Sequence, residues 1–193
     1  MQFGGGIKLL KVSLVPHNID YAKAMSILSS VPQVKNALGL TDEQTSLRGT
    51  IGFIEFIQEQ ERLGMQYSRV IFNESKNLIG VITLKDIDKN NKTCHIGTWI
   101  GHEYWGKGYN LLAKKEILYV AFTKLNLEYV FAGAKLSNIR SVKSQEKLPF
   151  MRIDVQEEFP EEHKKLESEV NAPCILNVVE KEMFLKWFSQ TEQ

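Results

Sequence analysis

Hydrophobic and polar positions along this chain fall into short runs of period two and longer runs near period 3.6. Ile7–Leu14 reads as a first strand, and Pro16-His-Asn-Ile-Asp20 as a turn carrying a helix cap. Asp20–Leu28 then forms a short amphipathic helix, interrupted at Val31-Pro32. Residues 41–63 predict a second helical region, with Ile51, Ile54 and Phe56 apolar and Glu55, Gln58 and Glu61 polar. Gly49 and Gly52 weaken its first half. Three strands follow at Ser68–Phe72, Leu78–Leu84 and residues 93–100, joined by polar turns at Asn73–Asn77 and Asp86–Asn91. An antiparallel meander is the economical pairing.

The stretch from residue 93 organises the rest. Cys94, Ile96, Thr98 and Ile100 face one way, and Thr93, His95, Gly97 and Trp99 the other. After Trp105-Gly-Lys-Gly-Tyr-Asn110 the period becomes helical. Leu111, Leu118, Phe122 and Leu125 mark an apolar face widened by Ala113, Ile117 and Ala121, and Lys114, Lys115, Glu116 and Lys124 take the opposite face. A strand, a Gly-x-Gly turn and a helix start can bind an anion, because the first amides of a helix have no internal partner and carry the positive end of its dipole. The same turn serves equally as a plain structural corner.

Leu127–Gly133 is another strand, and strand-helix-strand at this spacing makes a right-handed parallel crossover. Ser137–Lys147 reads as a helix stopped by Pro149, and Phe150–Val155 with Pro173–Glu180 as a final strand pair around a charged segment. No repeat or linker divides the chain, so residues 1–193 are expected to form a single domain. The fold class is α/β (α+β), with a mixed sheet whose middle is parallel.

Composition narrows the classes. The chain has 193 residues, 43% of them hydrophobic and 24% charged, which suits one soluble domain with a real core. A formal net charge of +1 offers no electrostatic reason for nucleic acid as the main partner. The longest apolar run, Ile117–Phe122, is too short for a membrane span, and Met1–Lys8 lacks the pattern of a secretion signal. Cys94 and Cys174 form no Cys-x-x-Cys pair and read as buried free thiols, which places the protein in the cytoplasm.

Tyr104-Trp-Gly-Lys-Gly-Tyr109 resembles the acyl-coenzyme A pyrophosphate loop of the general N-acetyltransferase (GNAT) superfamily, in the branch related to ribosomal-protein-alanine acetyltransferases. The superfamily pattern, Gln or Arg, two residues, Gly, one residue, Gly or Ala, falls on Trp105, Gly108 and Asn110; the central glycine matches and the flanks differ. Asn138-x-x-Ser141, continuing to Glu146-Lys-Leu-Pro-Phe150, is similar to the superfamily's later motif, with Pro149 where Gly is usual. The resemblance implies a mostly antiparallel sheet splayed between its fourth and fifth strands, helices on both faces, and coenzyme A in the split. It also implies direct acetyl transfer from acetyl-coenzyme A to a primary amine, a peptide N-terminus or a small molecule, with no metal, in a monomer or homodimer. The alternative is a non-catalytic acyl-coenzyme A binder or sensor. A dinucleotide site is disfavoured, since the third glycine of that fingerprint is missing.

On this resemblance the pantetheine pairs with the strand edge at Trp99 and Ile100, where an amide also stabilises the oxyanion. The pyrophosphate lies on the amides of Gly106, Lys107, Gly108, Tyr109 and Asn110, beside Trp105. Lys107 either adds charge or stands in solvent. Asn138 bonds the pantetheine or caps its helix. Ser141 protonates the leaving thiolate, contacts coenzyme A, or bonds its own backbone. The sequence identifies no general base: His95 is more readily a structural histidine, Glu55 is a second candidate, and some members of the superfamily use water alone. Glu157–Glu169, rich in glutamate, is a solvated, partly helical connection or a field that steers a cationic acceptor.

Overall fold

A computed structural model describes residues 9–191. β1 (Val12–Val15) overlaps the expected first strand at Val12–Leu14 and runs one residue further; residues 7 and 8 of that expectation fall outside the described range. Asn18 caps a 3₁₀ turn by accepting from the Asp20 amide (2.9 Å), and α1 (Ala22–Ser30) follows. Val31 is extended ahead of Pro32, which opens α2 (Pro32–Leu38) at the one helical position where a missing amide hydrogen costs nothing. The single helix expected over 41–63 is two. Thr41 and Gln44 close a capping box on α3 (Asp42–Thr45), then Ser46 turns extended and caps α4 (Leu47–Arg62) through the Gly49 amide (3.0 Å).

The strands are β2 (Tyr67–Asn73), β3 (Leu78–Asp88) and β4 (Thr93–Ile100), followed by α5 (Tyr109–Thr123), β5 (Tyr129–Lys135), α6 (Ile139–Glu146), α7 (Pro160–Val170), β6 (Cys174–Glu180) and α8 (Lys181–Thr191). They form one sheet in sequence order, antiparallel throughout except for β4 beside β5. α5 and α8 pack with Ile71, Ile82, Cys94, Val130 and Val179 on one face. α1 and α4 cover Val70 and Val81 on the other, and α7 covers Phe131, Leu176 and Val178 beyond them.

Four further features depart from the sequence reading. β3 runs to Asp88, through the start of the expected turn, because the Asp88 carboxylate gathers the amides of Asn90 and Asn91 (both 2.9 Å) into a tighter corner. Residues 150–155 are not a strand: Arg152 bridges Val178, but Asp154 adopts φ 58° and breaks the ladder. α8 was not anticipated, although Met183, Phe184, Trp187 and Phe188 carry helical spacing; Phe184 is fully buried against Phe122 and Phe150. On α5, Leu111 is 37% exposed while Lys114 is only 7% exposed, the reverse of the expected faces, because Lys114 lies three and four residues before Ile117 and Leu118 and shares their buried face. Among the described residues no helix is long and apolar enough to cross a membrane.

Under α4 a polar network crosses β2 and β3: His17 Nε2 to Ser68 Oγ (2.8 Å) and Ser68 Oγ to Thr83 Oγ1 (2.7 Å). His17 is 7% exposed and its Nδ1 is buried without a hydrogen-bond partner among the described residues. Burial, assisted by the Arg69 charge, lowers its pKa from 6.5 to about 4. The folded state therefore excludes a proton that the unfolded chain binds below pH 6.5, so this contribution is present above 6.5 and lost toward 4. We expect the stability difference between wild type and His17→Gln to shrink as pH falls through that window, by at most about 1.4 kcal/mol per pH unit. Chemical denaturation at pH 7, 6, 5 and 4.5 checks this; a constant difference contradicts it.

Candidate active site

β4 and β5 pair only at Thr93↔Tyr129, Cys94↔Val130 and His95↔Phe131, and then part. Beyond His95 the edge of β4 that faces β5 has no strand beside it. Two backbone bonds set its phase: Gly101 donates to Ile79 on the β3 side (2.8 Å), and Glu128 donates to Lys92 on the β5 side (2.7 Å). Backbone groups alternate sides along a strand, so Thr98 and Ile100 face the split and Trp99 faces β3. Gly80 confirms it, since a Cβ there would stand 2.2 Å from the Trp99 carbonyl oxygen. The backbone of Trp99, expected with Ile100 at the open edge, thus faces β3, and that of Thr98 stands at the edge. The Ile100 carbonyl already accepts from Trp105 Nε1 (2.6 Å), and the Thr98 hydroxyl is buried with no hydrogen-bond partner among the described residues.

After β4 the chain makes a 3₁₀ turn (His102–Tyr104) and enters Trp105-Gly-Lys-Gly108. Gly106 and Gly108 sit at φ 72° and 91°, a conformation only glycine adopts without strain. Gly108 is the N-cap of α5 and has no side chain to close the first turn, so the leading amides stay open. Tyr109 is buried and donates its hydroxyl to Glu74 (3.1 Å), which leaves its backbone, and not its ring, at the turn. Lys107 Nζ lies 5.6 Å from the Tyr104 ring, and the Arg140 guanidinium stacks 3.3 Å over Trp105. Arg140 belongs to the Asn138-x-x-Ser141 motif but was passed over in the sequence, where nothing marked its direction.

Across the split, Asn138 Oδ1 accepts from the Ser141 amide (3.1 Å), so its oxygen caps α6. Ser141 Oγ accepts a long bond from Gln145 Nε2 (3.5 Å). Gln145 also donates to the Gly133 carbonyl (3.0 Å) and accepts from Asn177 (2.7 Å), which pins α6 to β5 and β6. Asn110 ties α5 to α6 by donating to Ser144 Oγ (3.3 Å) and accepting from Lys114 Nζ (2.8 Å). Two helix starts and a guanidinium therefore converge where the strands part, a setting for an anionic group.

The other face of β4 holds His95 and Gly97. His95 is 4% exposed, bonds Glu162 of α7 through Nε2 (2.7 Å) and lies against Phe131. Gly97 is exposed, and a Cβ there would meet nothing within 4 Å. Thr83 stands across the ladder from it. Glu55 is exposed on α4. The glutamates of the acidic segment largely serve to dock α7: Glu162 holds His95, Glu169 pairs with Lys85, and Glu167 accepts from the Cys174 amide (2.9 Å). Burial pushes the Cys94 thiol far above its usual pKa and makes it inert. Among the described residues no group of three or more His, Cys, Asp and Glu is placed to hold a metal.

Residues 11–151 match the model of the acetyltransferase (GNAT) domain. Over 83 residues the chain is 31% identical to an uncharacterized N-acetyltransferase, p20, of Bacillus licheniformis, covering 43% of this chain and 47% of that protein. Over 75 residues it is 33% identical to a Bacillus subtilis protein named as a ribosomal N-acetyltransferase, YdaF, covering 39% and 41%. The chain thus spans less than half the length of either relative. The fold matches the spermidine N-acetyltransferase of Vibrio cholerae, solved with CoA and spermine, at a TM-score of 0.70 and 14% identity, over 91% of this chain and 98% of that one.

The unpartnered Thr98 hydroxyl yields a test that needs no ligand. Thr98→Val keeps the shape and removes a buried polar group that has lost its water, so the free protein should become more stable, by about 1 kcal/mol. A thermal melt that shows Thr98→Val less stable than wild type would mean the hydroxyl has a partner after all.

Proposed function

This chain belongs to the acetyltransferase (GNAT) family, and from that premise we propose that it is an N-acetyltransferase carrying an acetyl group from acetyl-coenzyme A directly to a primary amine. The observation that carries the reading is the split itself. It offers an open strand edge at Thr98 and Ile100, ending at an uncapped helix start whose two glycines hold positive φ. These residues fit the cosubstrate: an extended amide-bearing arm adds to the edge as a strand does, and a diphosphate meets amides that have no other partner among the described residues. When bound, acetyl-coenzyme A supplies the activated acetyl thioester.

Each residue's part follows from its place. The amides of Gly106, Lys107, Gly108, Tyr109 and Asn110 take the diphosphate, and Arg140 adds a positive charge from the facing helix. Thr98 and Ile100 hold the arm by their backbone, and Trp105 braces the Ile100 end. The edge amides of β4 point where negative charge develops on the thioester oxygen. Asn138 keeps α6 capped, which fixes Ser141 in the first turn. Ser141 gives its hydroxyl proton to the departing thiolate and regains one from the newly acylated nitrogen. Gly97 leaves an opening on the far face for the amine, and His95, oriented by Glu162, takes the proton that the ammonium must lose. The acceptor is a small-molecule amine or a protein N-terminus. We place the protein in the cytoplasm as a monomer or homodimer, a location supported by its two free cysteines.

A thiol-release assay with acetyl-coenzyme A across a panel of amines tests the proposal. Amine-dependent release supports it; tight binding of acetyl-coenzyme A with no release under any amine marks a non-catalytic binder. Ser141→Ala should lower kcat by about a hundredfold with little change in acetyl-coenzyme A affinity; normal turnover removes Ser141 from the mechanism. Gly97→Leu should raise KM for the amine at least tenfold while coenzyme affinity holds, because a side chain there fills the opening. An unchanged amine KM moves the acceptor elsewhere.

A further inference from the structure

Lys114 is the residue whose burial the family reading leaves without a reason. It is 7% exposed, on a helix face shared with Ala113, Ile117 and Leu118, all buried. An ammonium has three donors, and among the described residues its one hydrogen bond is to Asn110 Oδ1 at 2.8 Å. Among the described residues no carboxylate stands within ion-pair distance. A buried cation without a counter-charge is expensive, and Leu or Met would fill this position at lower cost. Burial also lowers its pKa to about 8.

Position supplies the reason. Lys114 lies one helical turn below Asn110, about 6 Å along the axis, and Asn110 stands in the open first turn of α5. The same Asn110 reaches Ser144 on α6 (3.3 Å), one turn beyond Ser141, so the three side chains line the seam between the helices that flank the split. The β4 face covered by α5 carries a second dry polar group, the Thr98 hydroxyl. Both groups lie on elements that flank the split, Lys114 on α5 and Thr98 on β4, each buried with hydrogen-bonding capacity that no described residue fills.

We propose that Lys114 is a coenzyme-anchoring residue, whose ammonium, steered by Asn110, donates to an oxygen of the diphosphate or of the pantetheine arm seated between α5 and α6. The inference rests on the coenzyme reading above. It also gives Asn110 a purpose at a position where the family pattern has Gly or Ala: the amide oxygen orients the ammonium and the amide nitrogen holds α6.

Calorimetric titration of coenzyme A and of pantetheine into wild type, Lys114→Met and Lys114→Gln tests it, with melting temperatures of the free proteins measured alongside. Lys114→Met should melt at or above the wild-type temperature and bind coenzyme A at least about tenfold more weakly, an opposition of signs that a merely structural lysine does not give. Lys114→Gln, which keeps a donor, should lose less and serves if the Met variant fails to fold. Loss of coenzyme A affinity alone assigns the contact to the diphosphate, and equal loss for pantetheine assigns it to the arm; both support the role. Wild-type affinity for coenzyme A in either folded variant overturns it and leaves the coenzyme reading intact. Failure of the wild type to bind either compound sinks that reading, and this inference with it.

Discussion

The molecule turns on a pairing that stops. β4 and β5 share three residue pairs and then diverge, so the middle of a six-stranded sheet contains an edge. An edge inside a sheet presents unpaired donors and acceptors, which ordinary folds cover or blunt. Here the Trp105 indole takes one carbonyl and the rest faces a seam between two helices. The antiparallel neighbours on both flanks hold the halves in place, so the gap does not close by zipping up the strands.

Keeping the gap open is a task for side chains on both sheet faces. Gln145 bridges Gly133 and Asn177 and fastens α6 to the β5–β6 half. Asn110 and Ser144 join α5, which rests on the β4 half, to α6 across the split. On the opposite face Glu162 reaches His95 and Glu169 reaches Lys85 on the β4 half, and Glu167 accepts from the Cys174 amide on the β6 side, so α7 is tied to both halves. Most of these bonds are buried or half-buried, where leaving one partner unsatisfied costs about 1–3 kcal/mol. The acidic look of the α7 segment is therefore mostly docking chemistry.

The two faces of β4 differ in what they leave exposed. Toward α5, the strand meets a close-packed core with an inert thiol, a dry hydroxyl and a buried lysine. Toward α7, it shows a bare glycine between His95 and Trp99. In the proposed reaction one strand serves a phosphate-bearing arm along its edge and an amine above its surface, with the bond to be made between them.

Local chemistry in the sequence determined much of this. Gly106 and Gly108 announced their turn because positive φ is a local demand, and the strand-glycine-helix order followed from periodicity alone. The motif around Asn138 and Ser141 was likewise legible, as was its helix start. The family resemblance added the split, which no periodicity contains. Only the tertiary structure decided which backbone groups of β4 face that split, because alternation has no phase until a neighbouring strand is present; Thr98 and not Trp99 was the outcome. It alone showed Lys114 buried: helical spacing sets it beside Ile117 and Leu118, but a charged side chain reads as solvent-facing until the packing around it is known. It alone brought Glu162 to His95 across 67 residues of chain, for a long-range contact leaves no mark on the local sequence that each partner occupies.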